Sequence, residues 1–320
     1  MKSNIKSLAK ETIIHESDSI RKLADFIDDD FEKIVELIYS SNGRVVITGI
    51  GKSANIANKI VATLNSTGTP AIFMHAADAI HGDLGIIQKD DVIICISKSG
   101  NTPEIKVLIP LIKYRENKLI GMVSKTDSFL AKNADYLLKA TIEKEACPHN
   151  LAPTSSTTAQ LVMGDALAVC LLEYRGFSKD DFAKVHPGGS LGKKLYLTIE
   201  DLYKQNEAPQ VNVNDPLKEV IIEISTKRLG ATAVIDENKK MVGIITDGDL
   251  RRMLQKQVKI ENIKAEDIMT KGPKTIEKNQ LAINAFNIME DYNITQLAVM
   301  EGKKYIGMVH LHDILKEGIV

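Results

Sequence analysis

The sequence has almost no net charge, no long apolar run and few cysteines. Its 320 residues carry a net charge of −1, which argues against a polyanionic partner. No cluster of lysines and arginines forms the basic stripe that nucleic-acid binding requires. The three cysteines, Cys95, Cys147 and Cys170, are odd in number, and Cys95 and Cys170 fall in apolar segments that read as core. That pattern predicts reduced thiols in a cytoplasmic compartment rather than a disulfide framework. Met1 to Lys10 is polar where a signal peptide would be apolar, and no segment reads as a membrane span. A soluble cytoplasmic protein is expected, with neither nucleic acid nor membrane as partner.

Two familiar phosphate motifs are also missing. A nucleoside-triphosphate loop needs a glycine five positions before Gly51-Lys52-Ser53, and Val46 stands there. A dinucleotide fingerprint would need a third glycine where Ala54 stands, and an acidic residue about 20 positions on, where the chain instead runs from Ala71 to His75. What is present is a pair of hydroxyl-rich, glycine-containing loops that end apolar, β-branched runs. They are Gly49-Ile50-Gly51-Lys52-Ser53 after Val45–Thr48, and Ser97-Lys98-Ser99-Gly100-Asn101-Thr102 after Val92–Ile96. A strand-loop-helix unit aims backbone N–H groups and about half a positive charge at whatever precedes the helix. Pro103 suits the first turn of the helix that follows. These loops predict a ligand with one phosphate, hence a phosphorylated small molecule.

Helical spacing dominates the first forty residues, through Ile13, Ile20, Leu23, Phe26 and Ile27, then Phe31, Ile34, Val35, Leu37 and Ile38. These are packing helices or an oligomer face. Five strands are expected at 45–48, 71–74, 92–97, 119–123 and 136–138, mostly separated by helical stretches. The pattern predicts an α/β fold: a five-stranded parallel sheet in an αβα sandwich, with ligands at the carboxyl ends of the strands. A long helix is expected from Ser156 to Tyr174, capped by Thr154 or Ser155 and stopped by Gly176. Capping explains one or two hydroxyls of the Thr154–Thr158 cluster, and five in a row point to a ligand as well.

After His186-Pro187-Gly188-Gly189 the chain repeats itself at an offset of about 64 residues. Ala233-Val234, Met241–Ile245 and Asp249-Leu250 recur as Ala298-Val299, Tyr305–Val309 and Asp313-Ile314. Each half is too small to bury much core alone, so the two should pack together.

At this point the chain resembles a known family along almost its whole length. Ser97–Thr102 and Gly51-Lys52-Ser53 resemble the SIS (sugar isomerase) domain, of flavodoxin-like fold. Gly243–Arg252 resembles the closing signature of a CBS domain, so the repeat reads as a paired α+β CBS module. Together with His81–Gly85, Lys144–Pro148, Leu151–Thr158 and His186–Gly189, the combination resembles the D-arabinose 5-phosphate isomerases. The resemblance implies a SIS domain over 1–200, its N-terminal helices at 1–40, followed by CBS domains at 201–260 and 261–320. It also implies aldose-ketose isomerisation between D-ribulose 5-phosphate and D-arabinose 5-phosphate, which supplies Kdo for lipopolysaccharide or capsule.

Moving a carbonyl between C1 and C2 needs a base to shuttle a proton, an acid or electrophile, and a means of opening the sugar ring. The resemblance makes Lys52, Glu104, Glu145 and His186 the catalytic candidates. Glu145 is favoured as the shuttle, on the ground that a carboxylate shielded from water has its pKa raised toward neutrality, and Glu104 is the competing base. Lys52 would stabilise an enediolate or the phosphate, and His186 would move the ring-opening proton. Gly51, Ser53, Ser97, Ser99, Gly100, Thr102, His81 and Thr157 are the expected phosphate and sugar contacts. The chain departs from the family in having Ala54 after Gly51-Lys52-Ser53 and Asn101 after Ser99-Gly100, which touches affinity more than reaction type.

No cofactor is expected. His75, His81, Asp83 and His149 offer no compact ligand spacing, so a metal is expected at most as an inhibitor at His81. In the CBS pair, Thr246 and Asp249 match the residues that meet a nucleotide, and the second repeat keeps Asp313 but has His310 at the threonine position. An adenine nucleotide or a nucleotide sugar such as CMP-Kdo is the expected effector, with a purely structural module as the alternative. The resemblance further implies a homo-oligomer, taken as a tetramer, in which the histidine segment reaches a neighbouring subunit's site. A sugar-phosphate sensor and another SIS enzyme are the competing functions. Neither the extra DNA-binding module of the first nor the glutamine-hydrolysing domain of an aminotransferase is visible.

Overall fold

A computed structural model describes residues 4–255 and 262–319. The expected limit between the two CBS domains, 260/261, lies outside the described residues. Two compact units divide between Phe182 and Ala183, inside the helix Lys179–Val185 and ahead of the limit at residue 200 drawn from the sequence.

In the first unit the β-branched runs form strands β1 (Val45–Gly49), β2 (Ala71–His75), β3 (Val92–Ser97), β4 (Leu119–Val123) and β5 (Tyr136–Lys139). All pairs are parallel and the order is β2-β1-β3-β4-β5, so chain direction across the sheet reverses between β1 and β3. The helices are α1 (Ile5–Arg21), α2 (Asp29–Ser40), α3 (Lys52–Ser66), α4 (Ala76–Ala79), α5 (Pro103–Tyr114), α6 (Phe129–Asn133) and α7 (Ser155–Tyr174). One face of the sheet packs Ile47, Ile94 and Ile96 against Ile34, Ile60 and Leu167 of α2, α3 and α7. The other packs Val46, Ile93 and Cys95 against Ile105, Leu108 and Ile109 of α5. Burial on both faces is why these strands read as continuous apolar runs.

Helix α7 corrects two expectations. Its 20 residues are long and apolar enough to cross a membrane, contrary to the reading that no segment approaches a span. Half of its most apolar stretch is buried within the unit, and Gly164 lets α3 approach so closely that a methyl group there would stand 2.4 Å from Ile60. It is a core helix on that side. On the other side Cys170 is exposed rather than buried, because it follows Val169 onto the outer face, and only Cys95 is a core thiol. Burial pushes the Cys95 thiol up to about 12. Helix α1 buries no residue and leaves Ile13 and Ile14 exposed.

Among its described residues the second unit contains two sheets. One is β6 (Gln210–Asn212), β7 (Ala231–Ile235), β8 (Met241–Thr246) and β9 (Thr270–Lys271), in the order β6-β7-β8-β9. The other is β10 (Thr275–Glu277), β11 (Gln296–Glu301) and β12 (Lys304–His310). The hairpins β7–β8 and β11–β12 break register at equivalent places, between Val234 and Ile235 and between Val299 and Met300. The short helices that lead each repeat are exchanged. Ile199–Tyr203 docks on the second sheet, where the Ile199 amide donates to Gln280 O at 2.9 Å and Leu202 joins the core of Ile276, Leu297 and Val309. Ala265–Ile268 docks on the first sheet, through the Ala265 amide on Asp215 O at 2.9 Å and a core of Val211, Val234 and Ile245. Ala233, Ile235, Ala298 and Tyr305 then join the two sheets, as the small size of each half requires.

Candidate active site

Chain direction across the sheet reverses between β1 and β3, and it is at the carboxyl ends of such strands that α/β sheets bind ligands. The two hydroxyl-rich loops lie there, since Gly49 of β1 is the register partner of Ile96 of β3. The first loop turns at Gly51, whose φ of 59° and ψ of −126° favour glycine, and delivers Lys52 exposed at the first position of α3. Ser53 Oγ donates to Gln160 Oε1 of α7 at 3.2 Å.

The second loop is held by its own hydroxyls. Ser97 Oγ accepts from the Gly100 amide at 3.1 Å, and Ser99 Oγ accepts from the Asn101 amide at 3.3 Å. Gly100 has φ +61° and lies so close to Ser128 that a Cβ would stand 2.2 Å from Ser128 Oγ. Asn101, the departure from the family pattern, receives the Phe129 amide on its Oδ1 at 2.9 Å and so ties the loop to the start of α6. Thr102 is the N-cap of α5, Pro103 opens the helix, and Glu104 lies half-buried in its first turn. The Thr102 hydroxyl is buried without a hydrogen-bond partner among the described residues. An orphaned hydroxyl beside open amides at a helix start suits an anionic oxygen.

Glu145 is the most constrained group of the site. Its carboxylate is wholly buried. Oε1 accepts from Lys98 Nζ at 2.6 Å and from Ser156 Oγ at 2.5 Å. Oε2 accepts from the Thr154 amide at 2.9 Å, the Ser156 amide at 3.1 Å and Thr154 Oγ1 at 3.2 Å. Helix α7 thus begins at Ser155 with Thr154 in the N-cap position, but the capping acceptor is Glu145 from the preceding loop. The loop is fixed in turn by the Glu145 amide on Asn150 Oδ1 at 2.7 Å and the Ala146 amide on Thr154 Oγ1 at 2.9 Å. These contacts reverse the expected direction of the Glu145 pKa. Burial alone would raise it, but the Lys98 ammonium, the Ser156 hydroxyl and the two amides outweigh burial and hold the carboxyl down at about 2.

The expected residues are therefore gathered in part. Lys98 of the second loop, Glu145 and the start of α7 are bonded together, and Ser53 joins α7 one turn further on, at Gln160. Lys52 and Glu104 lie in the first turns of helices that follow neighbouring strands. Thr157 turns its hydroxyl back to Thr154 O at 2.9 Å. His81 stands exposed in the turn after α4, and among the described residues no three His, Cys, Asp or Glu side chains gather to hold a metal. His186 belongs to the second unit, in the turn after Lys179–Val185. Lys98 and Gln160 were not singled out from sequence. The position of Lys98 between two serines of the phosphate loop was the available signal, whereas nothing local marks Gln160.

In the second unit Asp249 is buried and accepts from the Thr246 amide and hydroxyl at 2.9 and 2.7 Å, from Arg252 at 2.6 Å and from Thr270 Oγ1 at 3.2 Å. Asp313 accepts from the His310 amide at 2.9 Å and from Asn206 Nδ2 at 2.7 Å. Both carboxylates cap the helix that follows their hairpin.

A family model for the SIS domain matches residues 37–170, and one for the CBS domain matches 199–256 and 265–319. Among curated proteins, arabinose 5-phosphate isomerase KdsD of Pseudomonas aeruginosa is 47% identical over 98% of this chain and 96% of its own length. The Francisella tularensis protein of the same name is 47% identical over 96% and 95%, and that of Escherichia coli K12 is 43% identical over 97% and 95%. A solved structure of an E. coli CFT073 protein in complex with arabinose 5-phosphate is 38% identical, with a TM-score of 0.56, and covers 58% of this chain and 100% of its own.

Proposed function

The chain belongs to the arabinose 5-phosphate isomerases, and from this we infer that it interconverts D-arabinose 5-phosphate and D-ribulose 5-phosphate through an enediol at the ends of β1 and β3. The observation that carries the reading is the Ser97–Thr102 loop, with its buried Thr102 hydroxyl, unpartnered among the described residues, at the strand ends where chain direction across the sheet reverses. In the forward sense a base removes the proton from C2 of the aldose and the C1 oxygen is protonated. Return of a proton to C1, with loss of the proton on the C2 oxygen, then gives the ketose. We assign the carbon-bound proton to Glu104. It has no hydrogen bond or ion pair to a described residue and lies in the first turn of the helix that follows the phosphate loop, whereas Glu145 is occupied by five donors. Lys52, exposed at the start of α3, faces the developing enediolate or the phosphate, and His186 of a neighbouring subunit handles ring opening. Acid-base residues suffice for this chemistry, so the reading invokes no cofactor.

The product would feed Kdo synthesis in the cytoplasm. The exposed Ile13, Ile14 and Val169 on α1 and α7 support a homo-oligomer, taken as a tetramer, and the Thr246–Asp249 turn supports a nucleotide or nucleotide-sugar effector at the CBS pair. The primary test is proton NMR of the purified protein with D-arabinose 5-phosphate in D2O. Ketose formation with deuterium entering the exchanged carbon supports the enediol. Loss of exchange in E104Q with retention in E145Q supports the assignment of the base, and the opposite pattern reassigns it to Glu145.

A further inference from the structure

The Lys98 ammonium is placed where a second acidic group is needed to explain its posture. A lysine in a surface loop ordinarily extends into water, where its ammonium is best hydrated and its side chain keeps its rotamer freedom. Here Nζ is held 2.6 Å from the Glu145 carboxylate, which is itself wholly buried, while the lysine side chain remains 41% exposed. An ammonium has three N–H bonds. One is used by Glu145, and no other described residue accepts from Lys98 Nζ. The backbone around it is anchored on both sides. Ser97 is buried with its hydroxyl on the Gly100 amide, and Lys98 O accepts from the Ser124 amide at 3.2 Å. The ammonium thus belongs to the same short loop as the Ser99 and Thr102 hydroxyls, and two of its N–H bonds are available to an anion there.

We propose that Lys98 is a phosphate-binding residue of this site and that Glu145 acts through it, as a positioning residue that holds the ammonium at the phosphate loop. The inference rests on the sugar-phosphate reading above and gives Glu145 a role other than proton transfer. It also accounts for the construction around the carboxylate. Two donors from Thr154, two from Ser156 and one from Lys98 would be superfluous on a mobile proton carrier, but they fix a counter-ion in one place. The charges that face Glu145 are the Lys98 ammonium and the positive end of α7, and both favour a permanently ionised carboxylate.

The test uses the full chain and two probes, inorganic phosphate by calorimetry and D-arabinose 5-phosphate by kinetics. K98M is expected to weaken phosphate binding and raise KM by about tenfold to a hundredfold, the worth of one charge-assisted hydrogen bond, with a smaller fall in kcat. E145Q should shift the same two quantities in the same direction. The K98M/E145Q double variant should bind phosphate no more weakly than K98M, because Glu145 has nothing left to position. K98R should restore part of the affinity. Phosphate binding unchanged in K98M overturns the proposal, and this variant leaves the α7 cap in place should E145Q fold poorly. A collapse of kcat in E145Q with phosphate affinity intact overturns it as well, as do losses that multiply in the double variant. Lys98-dependent phosphate binding by a wild-type protein that turns over no D-arabinose 5-phosphate would sustain the role of Lys98 and overturn the proposed reaction instead.

Discussion

Each unit of the molecule buries a carboxylate at the start of a helix beside a basic partner, and the two are built differently. Asp249 takes its donors from Thr246, three residues before it, and Arg252, three residues after it, with Thr270 as the more distant contact. Glu145 takes its donors from Lys98, 47 residues back, and from Thr154 and Ser156, nine and eleven residues ahead. A cap assembled from one turn of chain stabilises that turn. A cap assembled from two loops and a helix start makes the position of each depend on the others, and here one of the three is the phosphate loop. The difference separates a helix terminus that only needs an acceptor from one that organises a site.

Removing the carboxylates should expose this difference most strongly. E145A leaves two hydroxyls, two amides and an ammonium without their acceptor, and is expected to cost about 3–5 kcal/mol of the first unit's stability, read by urea denaturation. D249A should cost about 1–2 kcal/mol in the second unit, the range of a lost helix cap. Equal losses would erase the distinction. Acid should act in the same direction. The Glu145 carboxyl is depressed to about 2 in the folded chain. Its contribution is therefore complete above the ordinary carboxylate pKa of about 4.5 and is lost as pH falls from there toward 2. That is a loss on the order of 3 kcal/mol that E145Q should not show in equilibrium melts.

Smaller effects sharpen the phosphate loop itself. G100A forces a side chain into a left-handed conformation and onto Ser128, and should lower kcat/KM by at least about tenfold, from the cost of backbone strain. T102V removes a hydroxyl that has no partner among the described residues. It should leave the melting temperature close to that of the wild type while raising KM for D-arabinose 5-phosphate by about fivefold to tenfold. A T102V melt that falls sharply would show that the hydroxyl is structural after all.

Most of the first unit is legible in its sequence because its signals are local. β-branched runs bounded by Gly51 and Ser97, a proline at the first turn of α5 and the apolar spacing of α2 each fix their own element. The phosphate loop is legible for the same reason. The Glu145 arrangement is not, since it depends on the sequence-distant approach of Lys98 to the start of α7. Burial of a carboxylate, taken alone, predicts a raised pKa, and only the donors around it reverse the sign. Cys170 misled in a related way. An apolar segment identifies a helix such as α7 but leaves open which of its faces the rest of the unit covers.

The exchange of leading helices in the second unit bears on how such a module can be inherited. Read as text, the chain carries two successive copies, and a deletion or transplant would be drawn between them. Read in space, a cut there strips each sheet of the helix that closes its core, because Ile199–Tyr203 serves the later copy and Ala265–Ile268 the earlier one. The repeat that can be counted is thus not the repeat that can be moved, and only the pair taken together keeps both cores closed.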